Sequence, residues 1–103
     1  MSEAQENALL ASMEETFARC LAIAAQKNAD YVSGADPFAN FERSAIVGVD
    51  PLRGLLVRMI DKISRAGSLV GRNPVVAGES LADTFDDLVN YAAIGRAMLE
   101  RRR

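Results

Sequence analysis

The stretch DPLRGLLVRMIDKISRAGSLV, residues 50–70, carries the clearest structural signal in the chain. Asp50 is a favoured N-cap residue, and Pro51 suits the first helical position because its missing N–H would have no partner there. Apolar residues then recur at helical spacing. The segment is therefore predicted to form a helix that buries Leu52, Leu55, Leu56, Met59, Ile60, Ile63 and Val70.

The same spacing predicts a long helix on either side of this segment. The first runs from near the start to about Asp30, with an apolar stripe of Leu9, Met13, Phe17, Cys20, Leu21, Ala24 and Tyr31. The last begins near Glu79 or Ser80 and runs to the end of the chain, with its main stripe at Leu81, Phe85, Leu88, Val89, Ala92 and Leu99. A short helix is expected at 38–43 in the long connection before Asp50. The expected fold is all-α, with three long helices plus a short loop helix in a single domain, 1–103.

The last helix also carries Ile94, Ala97 and Met98 away from its main stripe. A helix with two apolar faces is expected to be contacted on both sides. Because the chain has few large aromatic residues, one copy makes only a thin core. We therefore predict a helical bundle completed by homodimerisation.

The composition excludes several kinds of chemistry. The 103 residues contain no His, which rules out His-based triads and His-ligated zinc, and the single cysteine, Cys20, rules out an internal disulfide. A net charge of −2 argues against non-specific binding to duplex nucleic acid, and the terminal Arg101-Arg102-Arg103 run is interpreted as a solvated helix end. No apolar stretch approaches the length of a membrane span and the N-terminus is acidic, so a cytoplasmic protein without a membrane partner is expected.

Acidic residues gather on one side of the last predicted helix. At about 100° per residue, this stripe consists of Glu79, Asp83, Asp86, Asp87 and Asn90. Carboxylate oxygens are the ligands that Mg²⁺ prefers. The same stripe is also typical of a solvated acidic face whose first carboxylates favour the helix N-terminus. Both interpretations stay open at this stage.

Basic and aromatic residues are the candidates for contacts with the phosphate and base of a ligand. Arg58, Asp61 and Arg65, with Lys62 beside them, share one side of the middle helix, as either a phosphate-facing pair of arginines or an exposed ion-paired surface. Lys27 falls within the apolar stripe of the first helix, where it must extend its ammonium to water or meet an anion. Tyr31, Asn40, Phe41 and Tyr91 could contact a base or, as such residues more often do, pack in the core.

Four sequence blocks in order are similar to a phage and prophage family, the nucleotide modification-associated domain 1 family. The blocks are KNADY at 27–31, DPFANF at 36–41, GVDP at 48–51 followed by RMIDKISR at 58–65, and ESLADT at 79–84 followed by DLVNYA at 87–92. Val32 stands where the family usually has a glycine. The resemblance implies a role in phage nucleotide metabolism, in the host cytoplasm. It selects Lys27, Asp30, Arg58, Asp61, Lys62, Arg65 and Asp87 as patterned residues.

The acidic stripe on a helical scaffold also resembles the all-α nucleoside triphosphate pyrophosphohydrolases of the MazG type. Those enzymes hold Mg²⁺ over a triphosphate with carboxylates borne on helices. Their E-x-x-E pair on the preceding helix has no counterpart here, where the middle helix supplies only Asp61. The resemblance therefore implies nucleotide binding more directly than it implies catalysis.

The sequence thus predicts a nucleotide-binding protein, with Mg²⁺-dependent pyrophosphohydrolysis as its enzymatic form and no catalytic residue assigned. The expected ligands of Mg²⁺ or Mn²⁺ are Glu79, Asp83, Asp87 and Asp61. The expected nucleotide contacts are Lys27, Asp30, Tyr31, Asn40, Arg58, Lys62, Arg65, Asn90 and Tyr91. Two alternatives remain: a non-catalytic binder that sequesters a nucleotide or inhibits a host defence protein, and a structural or assembly protein.

Overall fold

A computed structural model describes residues 1–31, 39–72 and 74–102, and the side chains of 1–27, 41–72 and 80–102. The elements are α1 (Glu3–Tyr31), the short α2 (Ala39–Glu42), a 3-10 turn (Arg43–Val47), α3 (Pro51–Leu69) and α4 (Pro74–Arg101). The described residues include no strand, so the all-α class with three long helices and a short one is confirmed. None of the described helices has the length and apolar character needed to cross a bilayer.

Helix α4 lies in the middle of the structure. It packs closely against both α3 and α1, while the described backbones of α1 and α3 do not approach each other closely. The three long helices therefore pack together through α4, and we call this arrangement the helical layer. Helix α4 is contacted by two helices of the same chain, but Phe85 and Leu99 of its predicted main stripe stay exposed.

Asp50 begins α3 as the sequence predicted. Its carboxylate accepts a hydrogen bond from the Leu52 backbone N–H at 3.3 Å, and Pro51 occupies the first turn. Arg102 also donates to this carboxylate, and that hydrogen bond holds the pKa of Asp50 below its ordinary value. The terminal arginines are thus not simply a solvated helix end: Arg102 ties the end of α4 to the start of α3, and Arg101 pairs with Glu42 at 3.4 Å.

Helix α4 starts earlier than the sequence predicted. It begins at Pro74 instead of near Glu79, so residues 74–78, which were expected to precede the helix, are helical. Proline is well suited to the first helical position because it lacks an N–H and its φ is already helical. Gly78 is accommodated inside the helix at a modest cost in propensity.

The face of α4 that meets α3 is not the predicted main stripe. Met98 is only 5% exposed and Thr84 is 2% exposed, whereas Phe85 is 58% exposed. Thr84 directs its hydroxyl to the Ser80 carbonyl oxygen at 2.7 Å, which satisfies it inside the core. The prediction was wrong because it followed the largest apolar residues, whereas the closest approach to α3 is at Gly95, which has no Cβ to hold the helices apart.

The predicted burial of several apolar side chains on α1 and α3 is also wrong. The side chains that are at least two-fifths exposed are Leu9, Met13, Phe17 and Leu21 on α1, Leu56, Ile60 and Ile63 on α3, and Val70 at the C-cap of α3. The described apolar core consists of only Cys20, Leu55, Ala66 and Met98. The reason is geometric: α1 and α3 each touch α4 along one edge, and no described element covers the next part of their surfaces.

Two glycines provide a matched test of the α3–α4 packing. A Cβ on Gly95 would lie 3.0 Å from a Leu55 methyl group, whereas a Cβ on Gly67 would meet nothing within 4 Å. Both alanine variants gain about 1 kcal/mol in helix propensity. We expect Gly67→Ala to show that gain in chemical denaturation, and Gly95→Ala to be less stable than Gly67→Ala by at least about 1 kcal/mol because it overpacks the contact. Equal stabilisation of both variants would contradict the packing described.

Candidate functional site

A cation and two aromatic rings meet where α2 packs onto α3 and α4. The Arg58 guanidinium carbon lies 5.3 Å from the centre of the Phe41 ring. Phe41 in turn meets Tyr91 edge-to-face, with ring centres 6.2 Å apart and an interplanar angle of 88°. We call Phe41, Arg58 and Tyr91 the arginine–aromatic cluster. The Phe41 ring favours this position of the exposed Arg58 guanidinium, because a cation is attracted to the face of an aromatic ring.

A shallow cavity of about 340 Å³ opens beside this cluster. It is lined by Phe41, Arg43, Ser44, Gly54 and Arg58. The Ser44 hydroxyl lies within hydrogen-bonding distance of the backbone carbonyl oxygens of Phe41 and Val49, so the guanidiniums are the donors that remain for a ligand. Neither arginine pairs with a described carboxylate. Two guanidiniums beside an aromatic ring suit a phosphate attached to a flat group.

The close approach of the 3-10 turn to α3 depends on Gly54. A Cβ at this position would lie 3.0 Å from the Ser44 hydroxyl oxygen. The turn itself ends at Gly48, whose φ of +79° lies in the left-handed region that glycine adopts without strain. These two glycines therefore place Arg43 and Phe41 over the first turns of α3.

One turn further along α3, a predicted phosphate ligand meets a predicted metal ligand. The Lys62 ammonium lies 2.8 Å from the Asp87 carboxylate, and each side chain is about one third exposed, 32% and 33%. Lys62 follows Arg58 by four residues and Asp87 precedes Tyr91 by four, so all four border the same groove between α3 and α4. One residue of each predicted stripe, Lys62 and Asp87, therefore meets the other across this groove.

The structure places the other predicted site residues as follows. Asp61 is exposed on α3, Asp83 is exposed on α4, Asn90 is half-buried, and Lys27 is exposed on α1 and not enclosed in an apolar stripe. Arg65 lies at a separate shallow cavity of about 450 Å³ with Ser64, Ser68, Leu69 and Arg72. The side chains of Asp30, Tyr31, Asn40 and Glu79 lie outside the described residues.

The described carboxylates do not by themselves fit a magnesium site. Among the described side chains, no group of three metal-ligating residues comes together. Asp87 is already neutralised by Lys62 at 2.8 Å, which lowers its attraction for a cation. Of the predicted metal ligands, Asp87 is thus already paired, and the side chain of Glu79 lies outside the described residues.

Sequence reasoning missed one ion pair that joins α1 to α4. Two nitrogens of the Arg19 guanidinium donate to the Asp86 carboxylate at 3.1 and 2.9 Å, and this hydrogen bonding lowers the pKa of Asp86. The adjacent Cys20 is buried, and burial raises the pKa of its thiol. A usable signal existed, because Arg19 is the only basic residue in the first 26.

The Arg19–Asp86 pair makes stability depend on pH. A carboxyl whose pKa is lowered by folding stabilises the protein above its unfolded pKa of about 3.9, and that stabilisation is lost as the pH falls through the folded value. We expect Asp86→Asn to lower the melting temperature at pH 7, with a difference from wild type that shrinks as the pH falls below about 4. The control is Asp83→Asn, at an exposed position without a described ion pair. An equal deficit for Asp86→Asn at pH 7 and pH 3 would contradict this role.

Comparisons of the chain with protein-family models, with curated proteins and with solved structures found no match. The resemblance to the nucleotide modification-associated family therefore stays a prediction.

Proposed function

We propose that this protein binds a phosphorylated small molecule of the nucleotide type at the cavity beside the arginine–aromatic cluster. The observation that carries the proposal is the Arg58 guanidinium held 5.3 Å from the Phe41 ring, with Arg43 lining the same cavity. Each guanidinium can donate two parallel hydrogen bonds to phosphate oxygens. Because Arg58 is already positioned, less conformational freedom is lost on binding.

The aromatic residues give this proposal its preference for nucleotides. Phe41 lines the cavity proposed to hold the phosphate, and Tyr91 meets Phe41 edge-to-face, so aromatic rings are available near that phosphate for contact with an attached base or sugar. The four sequence blocks that resemble a phage nucleotide-related family contribute Phe41, Arg58 and Tyr91 among their residues. That agreement supports a nucleotide over other phosphate esters.

Lys62 and Asp87 lie further along the groove between α3 and α4. Their ion pair at 2.8 Å can open so that the ammonium approaches a second phosphate while Asp87 accepts from a sugar hydroxyl. Hydrolysis to a monophosphate and pyrophosphate is the enzymatic form of this proposal. It requires a metal ion that the described carboxylates do not by themselves hold. Binding is therefore the function that the geometry supports best.

Arg58→Ala tests the proposed site. We expect titration calorimetry with ATP and the common deoxynucleoside triphosphates to show binding by the wild type and at least a tenfold weaker affinity for the variant, about 1.4 kcal/mol. The control is Arg96→Ala. Arg96 lies on α4, where it pairs with Glu100 of that helix at 3.1 Å, and it does not line the cavity. Affinities for Arg58→Ala and wild type within twofold of each other would contradict the site.

The metal requirement is a separate measurement. A binder of the proposed kind keeps its affinity in EDTA and releases no pyrophosphate from the same nucleotides. Pyrophosphate release that needs Mg²⁺ or Mn²⁺, and that is lost in Asp83→Ala, would show the enzymatic form instead. No binding of any nucleotide at millimolar concentration would overturn the proposed function.

A further inference from the structure

Most large apolar side chains of the described chain are exposed. Sixteen large hydrophobic residues are exposed, against four apolar residues that are buried. Exposed apolar residues scattered singly need no explanation, whereas a continuous apolar patch marks an interaction surface. The question is therefore whether these residues share one side of the helical layer.

The exposed apolar stripes of α3 and α4 do lie on one side. The two helices are antiparallel, because Leu55 meets Gly95 whereas Lys62 meets Asp87. Around the axis of α3, Leu56, Ile60 and Ile63 lie roughly 100° from the inward-facing Leu55. Around the axis of α4, Phe85 and Leu99 lie at a similar angle from the inward-facing Tyr91, and both angles are measured in the direction in which the helix winds. When two antiparallel helices that face each other are viewed from one end, one winds clockwise and the other anticlockwise. Residues rotated by the same angle from the facing residue of each helix therefore lie on the same side of the pair.

The Arg19–Asp86 ion pair fixes the side on which the stripe of α1 lies. Cys20 is buried towards α4, so its neighbours Arg19 and Leu21 flank it on opposite sides of α1. Asp86 and Phe85 likewise lie on either side of the part of α4 that faces away from α3. Around the helix axis, Asp86 is about 140° from Tyr91 in one direction and Phe85 is about 120° from Tyr91 in the other. Because Arg19 contacts Asp86, Leu21 lies on the side of Phe85.

The helical layer therefore has two unlike sides. One side carries the groove with Arg58, Lys62, Asp87 and Asn90. The other side, which we call the apolar face, carries the exposed stripes of all three long helices. Its members are Leu10, Met13, Phe17 and Leu21 on α1, Leu56, Ile60 and Ile63 on α3 with Val70 at its C-cap, and Phe85, Ala92 and Leu99 on α4.

We propose that the apolar face is covered by a second copy of the same chain. The structure measures 46 × 29 × 27 Å, so a face along its long axis projects roughly 1,200 Å², above the roughly 800 Å² that each partner buries in a standard interface. A two-fold axis brings one face onto its equal, so both copies bury the apolar face at once. This proposal does not depend on the nucleotide site, which stays exposed on the outside of such a dimer.

The charges around the apolar face also suit pairing with itself. Residues 3–18 of α1 contain four acidic residues and no basic one. Arg53 on α3 and Arg96 on α4 lie next to the apolar stripes of those helices. By the same angular count from Cys20, Glu3 and Glu14 of α1 lie on the side of Leu21. The apolar face therefore carries acidic residues on α1 and arginines on α3 and α4, so two copies can place unlike charges together across the interface.

The experiment is sedimentation velocity of the full chain from 1 to 100 µM. We expect wild type to sediment with twice the 11.1 kDa chain mass. The double variant Ile60→Glu/Ile63→Glu should dissociate at least 100-fold more readily and sediment as one chain, with circular dichroism unchanged because both residues are over half exposed, 59% and 57%. The control Ser68→Glu, exposed on the outer surface of α3, should keep the wild-type mass.

Each result decides the proposal. A wild type with the mass of one chain throughout, or a double variant that keeps the wild-type mass, would overturn it. Should the double variant lose its helical signal, Phe85→Glu on α4 takes its place, since Phe85 is 58% exposed and lies on the same face. Loss of the dimer in a folded Phe85→Glu chain would support the proposal, and its retention would overturn it.

Discussion

The close contact of Leu55 on α3 with Gly95 on α4 sets the register on which the rest of the structure depends. A glycine here lets the Leu55 methyl groups approach the backbone of α4, where even a Cβ would be at 3.0 Å. With this register, Lys62 comes opposite Asp87, and Arg102 reaches the N-cap of α3 at Asp50. A shift of one turn, about 5.4 Å, would separate both pairs. The polar groove is thus a consequence of one apolar contact.

That same contact explains why the molecule has two unlike sides. Gly95 on α4 brings α3 close, while α1 packs against another part of α4 and the described backbones of α1 and α3 do not approach each other closely. A layer of this kind buries little apolar surface, since four apolar residues make up the described core. One side of the helical layer then carries the groove between α3 and α4, and the other side carries the apolar face. Both are proposed as binding surfaces.

Sequence reasoning found the elements more readily than the faces. The Asp50-Pro51 start of α3 was predictable because capping depends only on neighbouring residues. The periodicity of α1 predicted an end at about Asp30, one residue before the observed end at Tyr31. The inward face of α4 was not predictable from apolar spacing, because Thr84 and Gly95 form the contact in place of the larger Phe85 and Leu99. The groove residues Arg58, Lys62, Asp87 and Tyr91 were all named from the sequence. Arg43 was not, because a helical segment as short as 38–43 has too few turns for a periodicity that would reveal the direction of a side chain.

The central claim is that α3 meets α4 through Gly95, and nuclear Overhauser contacts of the Leu55 methyl groups measure it directly. The account predicts cross-peaks from these methyls to the Gly95 Hα protons and none to the Phe85 ring, which lies on the exposed flank of α4. Cross-peaks from Leu55 to Phe85 or Leu99, without any to Gly95, would show that the larger apolar stripe faces α3. That result would contradict the register, and with it both the groove and the apolar face.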